Sequence, residues 1–296
     1  MQLGLVGLGR MGAAMRDRLV AAGHEVHGYD RDPAVSDVAD LTDLLSRLDP
    51  PRHVWVMVPA GAATRYTIEQ LAVLLEPDDL VVDGGNTRWT DDRHHAEVLS
   101  ARGVRYLDCG VSGGVWGGTE GYGLMCGGDE VDVARMLPVF DALRPEGPRD
   151  LGFVHAGPVG AGHYAKMVHN GIEYALMQAY AEGYELLEAS PVVADVPGVL
   201  RAWSRGTVVR SWLLDLLVRA LEDDPGLEGL RGYVDDSGEG RWTVEEAVAN
   251  AVPAPAITAA LFARFASRQP DSPAMRAVAA LRAQFGGHRV VPSDET

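Results

Sequence analysis

The sequence contains little cysteine. Its 296 residues include two, Cys109 and Cys126, which form neither a C-x-x-C pair nor a His/Cys set with zinc-ligand spacing. This pattern excludes a disulfide framework, and we expect no metal site. Both thiols lie in apolar runs, as buried, unreactive cysteines do. The chain starts directly in a strand-like run rather than in a basic and apolar leader, so the expected location is a reducing cytoplasm.

Long apolar runs and positive charge are also scarce. No apolar run reaches the roughly 18 residues that a membrane-spanning helix needs. The formal net charge of −16 argues against a nucleic-acid or anionic-membrane surface. It leaves room for a phosphorylated small molecule, because a local arginine cluster can hold an anion inside an acidic shell. A hydrophobic fraction of 47% and a charged fraction of 23% are typical of a soluble globular enzyme.

Lysine is the scarcest charged residue. Of the 26 lysines and arginines, one is a lysine, Lys166. Arginine keeps its proton in proteins, whereas the pKa of a desolvated lysine can fall until it serves as a base near neutrality. Helical spacing gives Lys166 a polar face, which consists of Lys166, His169, Asn170, Glu173, Tyr174 and Met177. We interpret this face as a site of proton transfer; the alternative is a solvated face with scattered charges.

The opposite face of the same predicted helix is apolar, and we expect it to pack inside the protein. Its residues are Val168, Ile172, Ala175, Leu176 and Ala179.

The N-terminal residues carry the G-x-G-x-x-G pattern between a predicted strand, 2–6, and a predicted helix, 11–22. This context is typical of a loop that receives the pyrophosphate of a dinucleotide at a helix N-terminus. The predicted cofactor residues of this loop are Gly7, Leu8, Gly9, Arg10, Met11 and Gly12. Asp30, after the second predicted strand, favours the ribose hydroxyls of NAD. Arg31 could turn towards the 2′-phosphate of NADP, so NAD is preferred and NADP stays possible.

Strand-like and helix-like segments then alternate as far as the Gly157–Gly162 turn, which predicts a doubly wound parallel sheet. Three loops follow strands on the edge where such sheets bind ligands: Val58-Pro59-Ala60, Asp83-Gly84-Gly85-Asn86 and Gly110-Val111-Ser112-Gly113-Gly114. Beyond them we predict helices over 161–189, 199–221, 243–251, 255–267 and 273–285. We therefore predict a Rossmann-type α/β domain over 1–160 and an all-helical substrate and dimerisation domain over 161–296.

The string G-A-G-H-Y-A-K-M-V-H-N-G-I-E-Y (160–174), with D-G-G-N (83–86) and G-V-S-G-G (110–114), resembles the 6-phosphogluconate dehydrogenase family in its short-chain form. This family belongs to the β-hydroxyacid dehydrogenase superfamily. The resemblance implies oxidative decarboxylation of 6-phospho-D-gluconate to D-ribulose 5-phosphate and CO2 with reduction of NAD(P)+. It implies Lys166 as general base, Glu173 as general acid and no metal. It places the enzyme in the pentose phosphate pathway and in gluconate utilisation.

The same resemblance implies a substrate site and a partner. The implied substrate residues are Asn86, Ser112, Gly113, Gly114, His169, Asn170, Tyr174, Arg210, Arg282 and His288. Asn86 is also expected to border the nicotinamide, and Val58, Pro59 and Ala60, in the loop before it, are predicted cofactor residues. Arg282 and His288 belong to an R-x-x-F-G-x-H pattern that, in the family, reaches the active site of the neighbouring subunit. A homodimer or homotetramer is therefore expected.

The chain departs from the family at two positions. Ser237 stands where longer members carry a phosphate-contacting lysine, and Glu239 stands where they carry threonine. A carboxylate does not favour an anion, so these positions bear on the affinity for the phosphate. Two alternatives remain open: an NAD(P)-dependent dehydrogenase of a small non-phosphorylated acid such as 3-hydroxyisobutyrate, and a non-catalytic dinucleotide-sensing protein.

Overall fold

The computed structural model describes residues 1–286, which divide into two compact units, Met1–Gly171 and the part from Ile172 onward. The predicted substrate residue His288 lies outside the described residues. The predicted domain boundary after residue 160 stays a prediction. Over residues 1–286, no helix is both long enough and apolar enough to cross a membrane.

A seven-stranded sheet forms the centre of the first unit, in the order β2-β1-β3-β4-β5-β6-β7. Its strands are β1 Gln2–Val6, β2 Glu25–Tyr29, β3 His53–Val56, β4 Leu80–Asp83, β5 Arg105–Ser112, β6 Gly123–Gly128 and β7 Phe153–Gly157. The first five strands are parallel to one another. The loops that follow them therefore open at one edge of the sheet, as the sequence predicted.

The predicted doubly wound parallel sheet is confirmed for β1 to β5, whereas β6 and β7 run in the opposite direction. β6 runs antiparallel to β5, and β7 is parallel to β6. The chain between β5 and β6 is ten residues long, which suits an antiparallel return better than a parallel crossover.

Helices connect the strands of the first unit: α1 Arg10–Ala21, α2 Leu41–Ser46, α3 Ala62–Leu74, α4 Trp89–Ser100, α5 Gly117–Glu120 and α6 Glu130–Leu143. α6 begins at Glu130 because Asp129 caps it by accepting the Val131 N–H. The short helices α2 and α5 were not predicted, since four to six residues show too little periodicity.

The sheet has an apolar core on each face. Successive residues of β1 contribute to different cores, with Leu3 and Leu5 on one side and Val6 on the other. This alternation follows from the two-residue period of a strand. Because both faces are covered, the strands are apolar almost throughout, which made their sequence signal strong.

The second unit is helical, as predicted. A long helix, α7 Ala161–Glu188, begins in the first unit and ends in the second. It is followed by α8 Val196–Trp203, α9 Trp212–Asp223, α10 Glu239–Ala249, α11 Pro255–Ser267 and α12 Pro273–Gly286.

One predicted helix, 199–221, is in fact two. The chain leaves α8 through Gly206, whose φ of +73° lies in the left-handed region. α9 then restarts at Ser211, which caps it by accepting the Leu214 N–H. Arg210 lies in this break.

The interpretation of the two faces of α7 was wrong. The predicted apolar back is exposed, with Ile172 at 50% and Leu176 at 43% of their possible surface. On the polar face, Lys166 at 7% and Tyr174 at 5% are buried, whereas His169 is exposed. A buried polar face needs specific partners, because unpaired polar groups are costly away from water.

Candidate active site

The glycine loop between β1 and α1 has the space that a dinucleotide needs. Gly7 has a φ of +96°, and a Cβ there would lie 2.5 Å from the carbonyl oxygen of Met57. A Cβ at Gly12 would collide with the carbonyl oxygen of Gly7, so α1 packs directly on the turn. At Gly9, by contrast, no atom lies within 4 Å of the Cβ position. The open space sits at the N-terminus of α1, where backbone N–H groups favour a phosphate.

Asp30 lies at the end of β2, next to this loop. Its carboxylate accepts the Leu8 N–H at 2.7 Å and the Asp32 N–H at 2.9 Å. These bonds fix the carboxylate beside the glycine loop, where it repels a 2′-phosphate. Arg10 and Arg31 are exposed and Met11 is half-buried. The loops after β3 and β4 bring Val58, Pro59, Ala60 and Asn86 to the same edge of the sheet.

The absence of a side chain at Gly110 lets Lys166 pack closely against β5. A Cβ at Gly110 would lie 2.5 Å from the Lys166 Cβ, so only glycine lets α7 come this close to the strand. The Lys166 Nζ donates to the Asn86 Oδ1. The structure thus brings the predicted base to the turn that ends β4.

The other predicted substrate residues of the first unit lie on β5 and α7. Ser112 Oγ, at the end of β5, is 3.5 Å from His169 Nε2. His169 Nδ1 is 3.1 Å from Asn170 Oδ1. Gly113 and Gly114 follow with positive φ angles of +136° and +52° and turn the chain away from the strand.

A buried polar network near Lys166 was not recognised from the sequence. Both Asp108 oxygens accept N–H groups at the start of α7, from Gly160 at 2.7 Å and from His163 at 2.9 Å. His163 Nδ1 lies 2.9 Å from both oxygens of Asp92. The Tyr106 hydroxyl donates to Asp92 at 2.8 Å and lies 3.4 Å from Asp83. A signal existed, because aspartates inside apolar strands need partners.

The network holds one imidazolium against three carboxylates. Burial by itself would lower the pKa of His163, but Asp92, Asp83 and Asp108 raise it to about 10. Burial raises the pKa of Asp92 to about 6, helped by the two other carboxylates, even though Asp92 faces His163. For Asp83, hydrogen bonds and the charge of His163 outweigh burial and lower the pKa.

Two groups of side chains are each compact enough to hold a cation. The first consists of Asp83, Asp92 and His95, and the second of Asp92, Asp108 and His163. In the second set, however, both Asp108 oxygens and the His163 Nδ1 are already engaged in hydrogen bonds. Hydrogen bonds within the protein therefore already use these ligand atoms of the second set.

The raised His163 pKa predicts a pH dependence of stability. A histidine whose folded pKa lies above its unfolded value stabilises the fold fully below about pH 6.5, and this contribution is lost as pH rises towards about 10. We expect the free energy of unfolding to fall between pH 7 and 8.5 by up to about 1.4 kcal/mol per pH unit. Urea titrations at several pH values measure it. His163→Gln should flatten the slope, and an unchanged slope in that variant contradicts the assignment.

In the second unit, the predicted site residue Tyr174 lies among several polar contacts. Its hydroxyl accepts the Ser237 N–H at 3.2 Å and lies 3.4 Å from Ser237 Oγ. The Arg264 guanidinium lies 3.4 Å from the centre of the Tyr174 ring. A Cβ at Gly240 would lie 2.5 Å from the same ring. Tyr174, Ser237 and Arg264 therefore form one polar cluster, which we name the tyrosine cluster.

Arg264 was missed in the sequence analysis, although a lone cation in the apolar stretch A-L-F-A-R-F is a usable signal. Arg210, which was predicted, is exposed in the α8–α9 break. Glu239 is buried at the start of α10, Glu173 is half-buried on α7, and Arg282 is exposed on α12.

Two family models match the chain. Residues 2–145 match the NAD binding domain of 6-phosphogluconate dehydrogenase, and residues 162–290 match the 6-phosphogluconate dehydrogenase C-terminal domain. A relative from Haloferax volcanii, the NAD(+)-dependent, decarboxylating 6-phosphogluconate dehydrogenase, is 44% identical over 305 residues, covering 100% of both chains.

Solved structures agree on the fold. The 6-phosphogluconate dehydrogenase of Plasmodium falciparum aligns with a TM-score of 0.81 at 24% identity, over 100% of this chain and 67% of that one. The 3-hydroxyisobutyrate dehydrogenase of Mycobacterium tuberculosis aligns with a TM-score of 0.71 at 24% identity, over 95% and 99%. Both family models, together with the full-length relative, show that this chain belongs to the 6-phosphogluconate dehydrogenase family.

Proposed function

We propose that this protein oxidises and decarboxylates 6-phospho-D-gluconate to D-ribulose 5-phosphate and CO2, with reduction of NAD+. The observation that carries the proposal is the contact of the single lysine, Lys166, with Asn86 at the ligand-binding edge of the sheet. The full-length match to an NAD-dependent decarboxylating relative supports the same reaction.

Lys166 and Glu173 divide the proton transfers. Neutral Lys166 takes the proton of the C3 hydroxyl, and the bound nicotinamide supplies the acceptor for the hydride that leaves C3. The resulting Lys166 ammonium donates a hydrogen bond to the new C3 ketone. The C1–C2 bond then breaks, CO2 leaves, and its electron pair forms an enediol. As the enediol forms, Lys166 gives its proton to the C3 oxygen and becomes neutral. Glu173 then protonates the carbon that carried the carboxylate, and Lys166 takes the proton of the C3 hydroxyl as the ketone of the product forms. Proton exchange with solvent returns Lys166 to its neutral form and Glu173 to its acid form.

Other residues hold the substrate and cofactor. Ser112, Gly113, Gly114, His169 and Asn170 would bind the sugar acid, and Asn86 would border both ligands. The glycine loop would receive the pyrophosphate at the open space over Gly9. Asp30 supports NAD over NADP, because its fixed carboxylate suits ribose hydroxyls.

The first test is turnover. We expect equal amounts of CO2 and reduced cofactor from 6-phosphogluconate, with faster formation of NADH than of NADPH. Initial rates with CO2 trapping measure both quantities. Activity on gluconate or 3-hydroxyisobutyrate in place of 6-phosphogluconate would favour a dehydrogenase of a small non-phosphorylated acid. No turnover with any of these compounds would favour a non-catalytic dinucleotide-sensing protein.

The tyrosine cluster is proposed as the phosphate site. Arg264→Ala should raise the KM for 6-phosphogluconate by about ten-fold or more, since a charged hydrogen bond contributes roughly 1.5–3 kcal/mol. The KM for NAD should change less than two-fold. Arg276, which is exposed and pairs with Asp271, offers a matched arginine for a control alanine variant. Equal effects of Arg264→Ala on the two KM values would contradict the assignment.

A homodimer, or a tetramer built from it, is also part of the proposal. The exposed apolar back of α7, with Ile172 and Leu176, supports it, because exposed apolar faces are typical of subunit contacts. In such an assembly Arg282 and His288 would reach the phosphate of the neighbouring site. Arg282→Ala should then raise the KM for 6-phosphogluconate far more than the KM for NAD. Arg210 stays a predicted phosphate ligand, to be tested in the same assay.

Location and pathway complete the proposal. A cytoplasmic enzyme of the pentose phosphate pathway and of gluconate utilisation agrees with two buried, unpaired thiols, Cys109 and Cys126.

A further inference from the structure

The buried network and the Lys166 contact form a closed ring. One side runs along α7 from Lys166 to His163. The other passes through Asp92, Tyr106 and Asp83 to the turn that carries Asn86, and Asn86 meets Lys166. We propose that the Asp83–Tyr106–Asp92–His163 relay positions Lys166 against Asn86 and thereby controls the protonation of the Lys166 amino group. The proposal rests on the proposed function only in treating Lys166 as the base.

The helix side of the ring fixes α7. His163 precedes Lys166 by three residues, so the two side chains lie on neighbouring turns of one face. Asp108 holds the helix start through the N–H groups of Gly160 and His163. A Cβ at Gly162 would collide with the Met125 carbonyl oxygen, so the first turn of α7 lies directly on β6. Any shift of this turn moves Lys166 with it.

The turn side of the ring fixes Asn86. Asp83 accepts the Gly85 N–H at 3.0 Å and the Thr87 hydroxyl at 2.7 Å. Asn86 lies between these two residues and is itself exposed. The conformation of the turn, and therefore the place of the Asn86 amide, depends on the buried Asp83 carboxylate.

The chemistry of the ring argues for a positioning role rather than for core stability alone. Buried ion pairs are often no more stabilising than apolar side chains of the same volume. Their directional bonds, however, hold groups to the fraction of an ångström that acid–base chemistry needs. Helix α7 and the turn that carries Asn86 come from distant parts of the chain and meet at the Lys166 Nζ. The relay joins this helix to this turn.

The single lysine makes the proposal testable without any substrate. Lysine labelled with ¹³C at Cε during expression gives one side-chain resonance, that of Lys166. Its chemical shift against pH reports the titration of the Nζ group. Tyr106→Phe removes the hydroxyl inside the relay, and Thr87→Val removes the hydroxyl that donates to Asp83 on the turn side. Asn86→Ala sets the full effect of losing the acceptor.

We expect both hydroxyl variants to lower the titration midpoint of Lys166 by about half a pH unit or more, because a looser acceptor stabilises the ammonium less. Turnover of 6-phosphogluconate should fall about ten-fold with little change in the KM for NAD. The loss should not add to that of Asn86→Ala, since both act on one contact.

Two matched controls separate positioning from general destabilisation. Tyr122 is as buried as Tyr106, and its hydroxyl has no hydrogen-bond partner in the described structure, so Tyr122→Phe should leave the resonance unchanged. The Thr67 hydroxyl donates to the Ala63 carbonyl in its own helix, so Thr67→Val should also leave the Lys166 resonance unchanged. If Tyr106→Phe titrates like Tyr122→Phe, the relay has no hold on Lys166 and the proposal is wrong. A wild type that turns over no 6-phosphogluconate overturns the proposed function and leaves this test standing.

Discussion

The Lys166→Arg variant should lose turnover by a factor of about 10²–10⁴, the range that a general base contributes. Arginine keeps the positive charge and much of the volume of lysine, but it does not lose its proton in proteins. The variant therefore lacks the base while it keeps a cation at the same place. Initial rates of NADH and CO2 formation from 6-phosphogluconate measure the loss.

Binding should survive this substitution. The glycine loop and Asp30 are untouched, so the dissociation constant for NADH, measured by fluorescence titration, should stay within about three-fold. Arg102→Lys, in the exposed segment between α4 and β5 at the opposite edge of the sheet, makes the reverse exchange away from the ligand edge and should be neutral. Turnover in Lys166→Arg within ten-fold of the wild type would remove Lys166 from the role of base.

The parts of the fold that the sequence predicted are those with strong local causes. The strands of the sheet are apolar because both faces are covered, and α6 begins at a capping aspartate. The glycine loop was recognisable because Gly7 and Gly12 have no alternative: a side chain at either position would collide with the backbone. Lys166 stood out by its rarity in the chain.

The parts that were missed depend on contacts between distant residues. Nothing local in β6 shows that it pairs antiparallel with β5. The break at Gly206 and Ser211 competes with a helical apolar pattern on both sides of it. The two faces of α7 were assigned by polarity, yet burial followed the partners that Lys166 and Tyr174 find elsewhere in the chain.

The buried network illustrates the same limit. Each of Asp83, Asp92 and Asp108 is an ordinary aspartate in sequence. Neighbouring strands and helices bring Asp92 and Asp108 to His163, and Asp83 to His95. A single sequence shows which aspartates and histidines the chain contains, but not which of them come together in the fold.

Asp108→Ala should destabilise the first unit by about 3–5 kcal/mol, the cost of breaking a buried charge network by removing one partner. The substitution leaves the Gly160 and His163 N–H groups without their acceptor and leaves the His163 imidazolium with one carboxylate fewer. Urea denaturation followed by far-UV circular dichroism at pH 7 measures the loss.

The chain offers a matched control for this loss. Asp129 also caps a helix, by accepting the Val131 N–H at 3.0 Å, but it is exposed. Asp129→Ala should cost only about 1 kcal/mol, the usual value of an exposed cap. If the two alanine variants lose the same free energy, Asp108 is a cap and nothing more. If Asp108→Ala loses several times as much, the difference measures the buried charge network, and the start of the helix that carries Lys166 depends on that network for its place in the fold.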